Sequence, residues 1–211
     1  MQLKNKIINI KNLFILIPFI FGLFYEFAVC SVAILFLIIL LKKFVKNQKL
    51  NIYYNYCFFS VLILTISSLL TCIWAIDKQD AIFGFFRILT ILLFVIILMQ
   101  EEENKIKEFY KLVPISAIFM VIICIIMKLI PNLSEYVYSD NGRLGGFFQY
   151  SNTFALFLLT GINVLLYENE KSKLNVIYIF ILLSGILLTG SRTVFILTLL
   201  SFIIYLVLSY N

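Results

Sequence analysis

Arginine is rare in this chain, and two of its three arginines stand in short polar stretches between long apolar runs. Residues 139–152 read SDNGRLGGFFQYSN, and residues 187–195 read LLTGSRTVF. A guanidinium group is always charged and presents parallel N–H donors that match the oxygens of phosphate and carboxylate groups. These two stretches are therefore the first candidates for an anion-binding site.

The TGSR stretch predicts the end of one helix and the start of the next. Gly190 suits the left-handed position that ends a helix, and Ser191 can then cap the following helix. Arg192 would lie in the first turn of that helix, where the positive end of the helix dipole disfavours a cation. An anion held between the helix N–H groups and the guanidinium would make the arrangement favourable. The structural alternative is a tight turn with a solvated arginine.

The other polar stretch combines a turn signal, an arginine and side-chain amides. The Asn141–Gly142 pair predicts a turn, and two glycines soon after Arg143 allow backbone to approach another group closely. Ser151 or Asn152 is predicted to cap the next helix, which places Gln149 and Asn152 at the start of that helix. Amide side chains suit sugar hydroxyls because they both donate and accept hydrogen bonds.

The third arginine ends the stretch WAIDKQDAIFGFFR at residues 74–87. Asp77 and Asp80 are expected just outside the membrane, and Arg87 lies two helical turns beyond Asp80, about 10 Å deeper. An arginine in hydrocarbon is costly, so Arg87 is expected to face the interior of the helix bundle and a partner. A structural ion pair with one of the two aspartates is the alternative to a binding role.

The composition indicates that most of this chain lies in a lipid bilayer. The 211 residues are 63% hydrophobic and 13% charged, with a mean hydropathy of +1.05, which is far too apolar for a soluble domain. The net charge of +6 comes from lysines in short segments between apolar runs, so membrane topology explains it better than nucleic acid does. Histidine is absent, and the four cysteines match no metal-binding pattern, so no cofactor or metal is expected.

The apolar runs predict an all-α, polytopic transmembrane helix bundle with about eight spans. Lysines flank the block 13–41 on both sides, which favours two short helices broken near FYEF, with Glu26 at the outer turn. Both termini are then cytoplasmic, and residues 1–211 are treated as a single transmembrane domain. The remaining six spans are predicted at 54–75, 82–100, 112–131, 150–167, 174–190 and 193–210.

The order of four stretches resembles the O-antigen ligase/O-antigen polymerase superfamily: PFIFGLFYE, WAIDKQDAIFGFFR, GRLGGFFQYSNTFA and LLTGSRTVFILTLLSF. The resemblance covers nearly the whole chain but only the N-terminal portion of that family's architecture. It implies a multi-pass protein of the bacterial cytoplasmic (inner) membrane that binds an undecaprenyl-diphosphate-linked glycan at the outer face, for assembly of O-antigen, capsule or teichoic-type polysaccharide. By this resemblance the diphosphate-binding residues are Arg192 and Arg143, with Arg87 a weaker candidate. The candidates for glycan contact are Gln149, Asn152, Ser191, Asp77 and Asp80.

The chain departs from the family in one respect. The family carries a further outer loop with a histidine that activates the acceptor, whereas this sequence contains no histidine and ends at Asn211. We therefore expect the chain to be incomplete for catalysis, either as a fragment that works with a missing C-terminal part or as a degenerate member working with other envelope polysaccharide machinery. The catalytic residues are unknown. Two other functions stay open: a flippase for lipid-linked oligosaccharides or another transporter, and a non-catalytic membrane scaffold.

Overall fold

A computed structural model describes residues 26–138, 142–148, 150–168 and 172–210. These residues form an all-α fold without a β-strand, apart from one antiparallel bridge between Tyr138 and Leu144. A single turn of 3₁₀-helix spans Gly146–Phe148. The helices are α1 (Glu26–Asn47), α2 (Tyr56–Trp74), α3 (Lys78–Met99), α4 (Glu103–Lys128), α5 (Pro131–Val137), α6 (Ser151–Glu168), α7 (Lys173–Thr189) and α8 (Arg192–Tyr210).

Several of these helices have the properties of membrane spans. By length and composition, five of the described helices can cross a membrane, namely α1, α2, α3, α4 and α8. Helix α7 is equally apolar in character but has 17 residues. The chain is therefore an all-helical membrane protein, while eight crossings and cytoplasmic termini stay predictions.

The predicted spans match helices, with two differences in length. Helix α4 begins at Glu103 rather than near residue 112, and it contains Pro114 in its interior. Glu103 in the first turn complements the helix dipole, which favours this early start. Helix α1 continues to Asn47 instead of ending near residue 41, because lysine is a good helix former and is favoured near a helix C-terminus. The first arm of the predicted hairpin lies outside the described residues.

Short polar side chains set the start of two helices. Asn55 precedes α2, and its Oδ1 accepts a hydrogen bond of 2.8 Å from the Phe58 N–H. Ser172 precedes α7, and its Oγ accepts one of 3.2 Å from the Leu174 N–H. Each cap satisfies one of the N–H groups that a helix leaves without an intrahelical partner.

The chain divides into two compact units, which among the described residues comprise 26–106 and 107–210. In the first unit α3 packs against both α1 and α2. Phe36 of α1 stacks on Phe94 of α3 with ring centroids 5.7 Å apart. The buried face of α1 repeats every three or four residues, as expected for a helix with one packed side: Ala28, Val29, Val32, Ala33, Phe36 and Leu40.

One end of the first unit is held together by polar contacts. Lys43 at the end of α1 forms an ion pair with Glu101, just after α3. The Gln100 side chain accepts from the Asn51 N–H at 2.9 Å and donates to the Asn51 carbonyl at 2.7 Å. These contacts bring the C-terminal ends of α1 and α3 and the connection before α2 to the same end of the unit.

The second unit is built around α6, which packs against α7, α8 and the 3₁₀ turn. Two glycines allow close approach of its helices. A Cβ built on Gly185 of α7 would lie 2.7 Å from Leu158 Cδ1 and 2.8 Å from Val121 Cγ2. A Cβ built on Gly161 of α6 would lie 3.4 Å from Pro114 Cα. Small residues of this kind let helix backbones approach closely in membrane proteins.

Twelve serine and threonine hydroxyls of the helices are satisfied locally. Their Oγ atoms donate to carbonyl oxygens three or four residues earlier in the same helix, at 2.6–3.1 Å. This is the usual solution for serine and threonine in an apolar helix. The residues are Ser60, Thr65, Ser67, Ser68, Thr71, Thr90, Thr160, Ser184, Thr189, Thr198, Ser201 and Ser209.

Candidate functional site

The turn between α7 and α8 is closed by its own hydrogen bonds. Gly190 adopts the predicted left-handed conformation, with φ 61° and ψ 21°, and its N–H donates to the Leu187 carbonyl at 3.0 Å. Thr189 is fully buried. Its hydroxyl donates to the Ile186 carbonyl at 2.6 Å and accepts from the Ser191 N–H at 3.3 Å. The turn therefore presents Ser191 and the residue after it in a defined position.

Arg143 reaches this turn from the loop before α6. Its Nε donates to the Thr189 carbonyl at 2.8 Å, and a terminal guanidinium nitrogen donates to Asn152 Oδ1 at 3.1 Å. The N–H of Leu144 donates to the Leu188 carbonyl at 3.1 Å. The last carbonyls of a helix lack intrahelical partners and carry the negative end of the dipole, so Arg143 and its neighbour cap α7. Part of the role of Arg143 is structural.

The loop that carries Arg143 is anchored on both sides of the arginine. Leu144 is fully buried, and the Gly145 N–H donates to the Val137 carbonyl at 2.9 Å. Gly146 has a positive φ of 58°, and a Cβ at this position would lie 3.1 Å from the Phe154 ring. The predicted close approach at this pair of glycines is thus a contact between backbone and the Phe154 ring of α6.

The start of α6 differs from the prediction by one residue. The helix begins at Ser151, so Tyr150 occupies the cap position, and neither Ser151 nor Asn152 does. Ser151 is buried in the first turn, and the side chain of Asn152 accepts the bond from Arg143. The predicted cap was wrong because Ser151 is already the first helical residue and the Asn152 amide oxygen accepts from Arg143, nine residues earlier. Gln149 lies outside the described residues.

Ser191 occupies the cap position of α8, but its side chain does not cap the helix. Its carbonyl accepts from the Phe195 N–H at 3.0 Å, as a cap residue should. Its Oγ is buried and has no hydrogen-bond partner among the described residues, with the whole residue only 4% exposed. Ser172, in contrast, caps α7 through its Oγ, so the two serines differ. A buried hydroxyl without a partner costs about 1–3 kcal/mol and requires an explanation.

Arg192 is the first residue of α8 and is exposed. Within the described ranges its side chain forms no hydrogen bond or ion pair. Arg143 lies against the same turn, since a Cβ built on Gly190 would be 3.3 Å from the Arg143 Nε. Arg192 and the buried hydroxyl of Ser191 therefore lie directly after the turn at the end of α7, and Arg143 contacts the same turn from the loop before α6.

The remaining predicted residues belong to the first unit. Asp77 is the cap of α3, and its carboxylate accepts from the N–H groups of Gln79 at 2.9 Å and Asp80 at 3.2 Å. Asp80 and Arg87 are both exposed. They are seven residues apart and share one face of α3. The expectation that Arg87 faces the bundle interior is wrong because that face points outward, although Arg87 is engaged in an interaction of its own.

Sequence reasoning missed two residues near this turn. Thr189 supplies both the carbonyl for Arg143 and the hydroxyl for Ser191, and its place directly before a helix-ending glycine was the available signal. Tyr138 lies in the bridge with Leu144, and its ring is 5.0 Å from the Lys128 Nζ. The Tyr138 hydroxyl is buried without a partner among the described residues.

The residues at this turn are of the types that bind anions in proteins. They combine the first N–H groups of α8, an exposed guanidinium, a second guanidinium held against the turn and a buried hydroxyl. Among the described residues, no group of three or more His, Cys, Asp or Glu side chains is placed to hold a metal ion. A scan against protein-family models, a search of curated proteins and a search of solved structures each found no match.

Proposed function

We propose that this chain is a membrane-embedded glycan ligase- or polymerase-like protein that binds an undecaprenyl-diphosphate-linked oligosaccharide at the outer face of the bacterial cytoplasmic membrane. The observation that carries the proposal is the contact of Arg143 with the Thr189–Gly190 turn, directly before Ser191 and Arg192. These residues come from two of the four stretches that carry the family resemblance. The sequence that resembles the family and the geometry of an anion site thus coincide.

The two arginines have different roles in this proposal. Arg143 holds the loop against the end of α7 and brings positive charge to the turn. Arg192 is exposed at the first N–H groups of α8, where its charge is unfavourable until an anion binds. A diphosphate would receive hydrogen bonds from the guanidinium of Arg192 and from the helix N–H groups, and it would give the Ser191 hydroxyl an acceptor.

The proposal concerns binding of the carrier and not turnover by these residues alone. The family resemblance assigns activation of the acceptor to a histidine, and the 211 residues contain none. Arginines that hold a diphosphate also stabilise it as a leaving group, so the same turn would serve glycan transfer when the acceptor side is supplied.

The hydrogen bonds of the serine and threonine hydroxyls argue against the flippase function. Transport of a charged headgroup requires polar groups that face a path at mid-membrane depth. The serines and threonines listed for the helices instead donate to carbonyls of their own helices, which satisfies them without such a path. This observation favours binding at one face of the membrane over passage through it.

Direct measurement of carrier binding tests the proposal. The full chain in phosphatidylcholine nanodiscs is titrated with undecaprenyl diphosphate. Arg192→Ala should weaken binding about 10- to 100-fold, because one charge-assisted contact contributes about 1.5–3 kcal/mol. Lys173→Ala is the matched control, since Lys173 is also an exposed basic residue directly after a serine at a helix start. Equal losses for the two variants would refute a specific site at Arg192.

The two serines provide a second matched pair. Ser172→Ala removes a cap and should lower the free energy of unfolding by about 1 kcal/mol without changing carrier affinity. Ser191→Ala removes a hydroxyl that lacks a partner among the described residues, so it should weaken carrier binding severalfold without destabilising the protein. Loss of stability without loss of binding for Ser191→Ala would assign this serine a structural role.

The other two functions are separated by two further measurements. Arg192→Lys and Arg143→Lys should each reduce carrier binding if the guanidinium geometry matters, whereas a scaffold would be indifferent to both. In reconstituted vesicles, movement of labelled carrier between leaflets would identify a flippase.

A further inference from the structure

Helix α1 carries an apolar stripe that ends in lysines. An open groove of about 350 Å³ is lined by Ile38, Leu41, Lys42, Val45 and Lys46. Their spacing of three and four residues places all five on one face of the helix. The apolar members are well exposed, with Leu41 at 53% and Val45 at 78%.

The two lysines of the groove have no ion pair or hydrogen bond within the described part of the chain, and both are exposed. The lysine between them, Lys43, is turned toward α3 and pairs with Glu101. Lys49 is also exposed but does not line the groove. The groove is therefore a shallow apolar surface that includes the aliphatic stems of Lys42 and Lys46, and their ammonium groups have no acidic partner among the described residues.

Tyrosines indicate the depth of this end of the unit in a membrane. Tyr53, Tyr54 and Tyr56 follow α1 and are 62%, 74% and 94% exposed. Exposed tyrosines of membrane proteins concentrate where hydrocarbon meets water. The Asn51–Gln100 bonds hold this connection at the same end of the unit as the end of α1. The stripe therefore passes from the hydrocarbon at Ile38 to the headgroup region at Lys46, a distance of about 12 Å.

We propose that this groove is a binding site for one phospholipid with an anionic headgroup. An acyl chain lies along Ile38, Leu41 and Val45, and the headgroup phosphate lies between Lys42 and Lys46. Charge complementarity selects an anionic lipid, because a zwitterionic headgroup would leave the two lysines uncompensated. The combination of an exposed apolar stripe and cations on a helix that can cross a membrane fits a lipid better than a soluble anion. This site uses no residue of the proposed carrier site.

Lipid retention tests this proposal. The full chain is reconstituted in dioleoyl-phosphatidylcholine nanodiscs that contain a minor fraction of dioleoyl-phosphatidylglycerol, and the lipids retained after detergent extraction are counted by mass spectrometry. Lys46→Ala should lower phosphatidylglycerol retention about fivefold, and the double variant Lys42→Ala/Lys46→Ala about thirtyfold, because each lysine contributes about 1 kcal/mol near an anionic surface. Replacement of both lysines by arginine should preserve retention.

Lys49→Ala is the matched control, because it removes the same charge three residues further along without changing the groove. It should change retention less than twofold. An equal loss for Lys46→Ala and Lys49→Ala would overturn the proposal in favour of diffuse attraction. Equal retention of phosphatidylcholine and phosphatidylglycerol would also overturn it, as would displacement of the lipid by inorganic phosphate. An unchanged unfolding temperature of each variant excludes misfolding as the cause of a loss.

Discussion

Replacement of Gly185 by alanine should destabilise the second unit, although alanine is the better helix former. The added Cβ would lie 2.7 Å from Leu158 Cδ1 and 2.8 Å from Val121 Cγ2, both of which belong to fully buried side chains. Overpacking of this kind costs about 1–3 kcal/mol. Replacement of glycine by alanine in a helix interior stabilises the helix by about 1 kcal/mol. The expected net loss is therefore about 1 kcal/mol, and it should increase for Gly185→Val.

Two other glycines provide a graded comparison. At Gly161 the nearest atom to an added Cβ would be Leu182 Cδ1 at 3.2 Å, so a small shift would relieve the contact and the net change should be close to zero. A Cβ added at Gly84 of α3 would meet no described atom within 4 Å beyond the adjoining backbone of its own helix, so the alanine variant should gain about 0.5–1 kcal/mol from helix propensity. The change from glycine to alanine is thus expected to stabilise the protein at Gly84 and to destabilise it at Gly185.

The assay must report each unit separately. Unfolding in mixed detergent micelles is followed by hydrogen exchange of the amides of α3 for the Gly84 variant and of α7 for the Gly185 variant. We expect Gly84→Ala to be the most stable of the three variants, Gly161→Ala to be close to the parent protein and Gly185→Ala to be the least stable. A Gly185→Ala variant that is as stabilised as Gly84→Ala would refute the close packing of α4, α6 and α7 described above.

Two further predictions concern the ends of the helices. Asn55→Ala should lower the stability of the first unit by about 1 kcal/mol, measured by hydrogen exchange of α2, and an unchanged exchange rate would contradict the observed cap. A double-mutant cycle on Lys43 and Glu101 should give a coupling of at most about 1 kcal/mol that falls with added salt, because both side chains are about one-fifth exposed. Lys111 and Glu168 are 3.6 Å apart with the lysine about half exposed, so their coupling should be smaller; a larger value would contradict the ranking by exposure.

Apolar runs and glycine positions carried most of the information about the fold. The helices fall where hydropathy predicts them, and Gly190 ends α7 in the expected conformation. The early start of α4 was missed because charged residues before Pro114 look like a loop, while tertiary packing and a favourable first turn extend the helix through them. The seven-residue spacing predicts that Arg87 shares a face of α3 with Asp80, but only the packing of α3 shows that this face points outward.

The sequence supplied the types of the candidate residues, but it did not predict their contacts. The cap that Arg143 provides for α7 depends on a contact with Thr189, 46 residues further along the chain. The need of the Thr189 carbonyl for a donor arises only when the loop meets the end of α7, so no local pattern reveals it. Likewise, the local sequence of Ser191 predicts a cap, and only the folded turn leaves its hydroxyl buried without a bond to any described residue.

The local satisfaction of the hydroxyl groups has a consequence for biogenesis. A serine or threonine that donates to its own helix enters hydrocarbon without waiting for a neighbouring segment to supply an acceptor. Helices such as α2, which carries five of these hydroxyls, can therefore leave the insertion machinery one at a time, before the bundle assembles. Assembly of the second unit then draws on shape, through glycines such as Gly161 and Gly185, while ion pairs such as Lys43–Glu101 in the first unit lie at the helix ends.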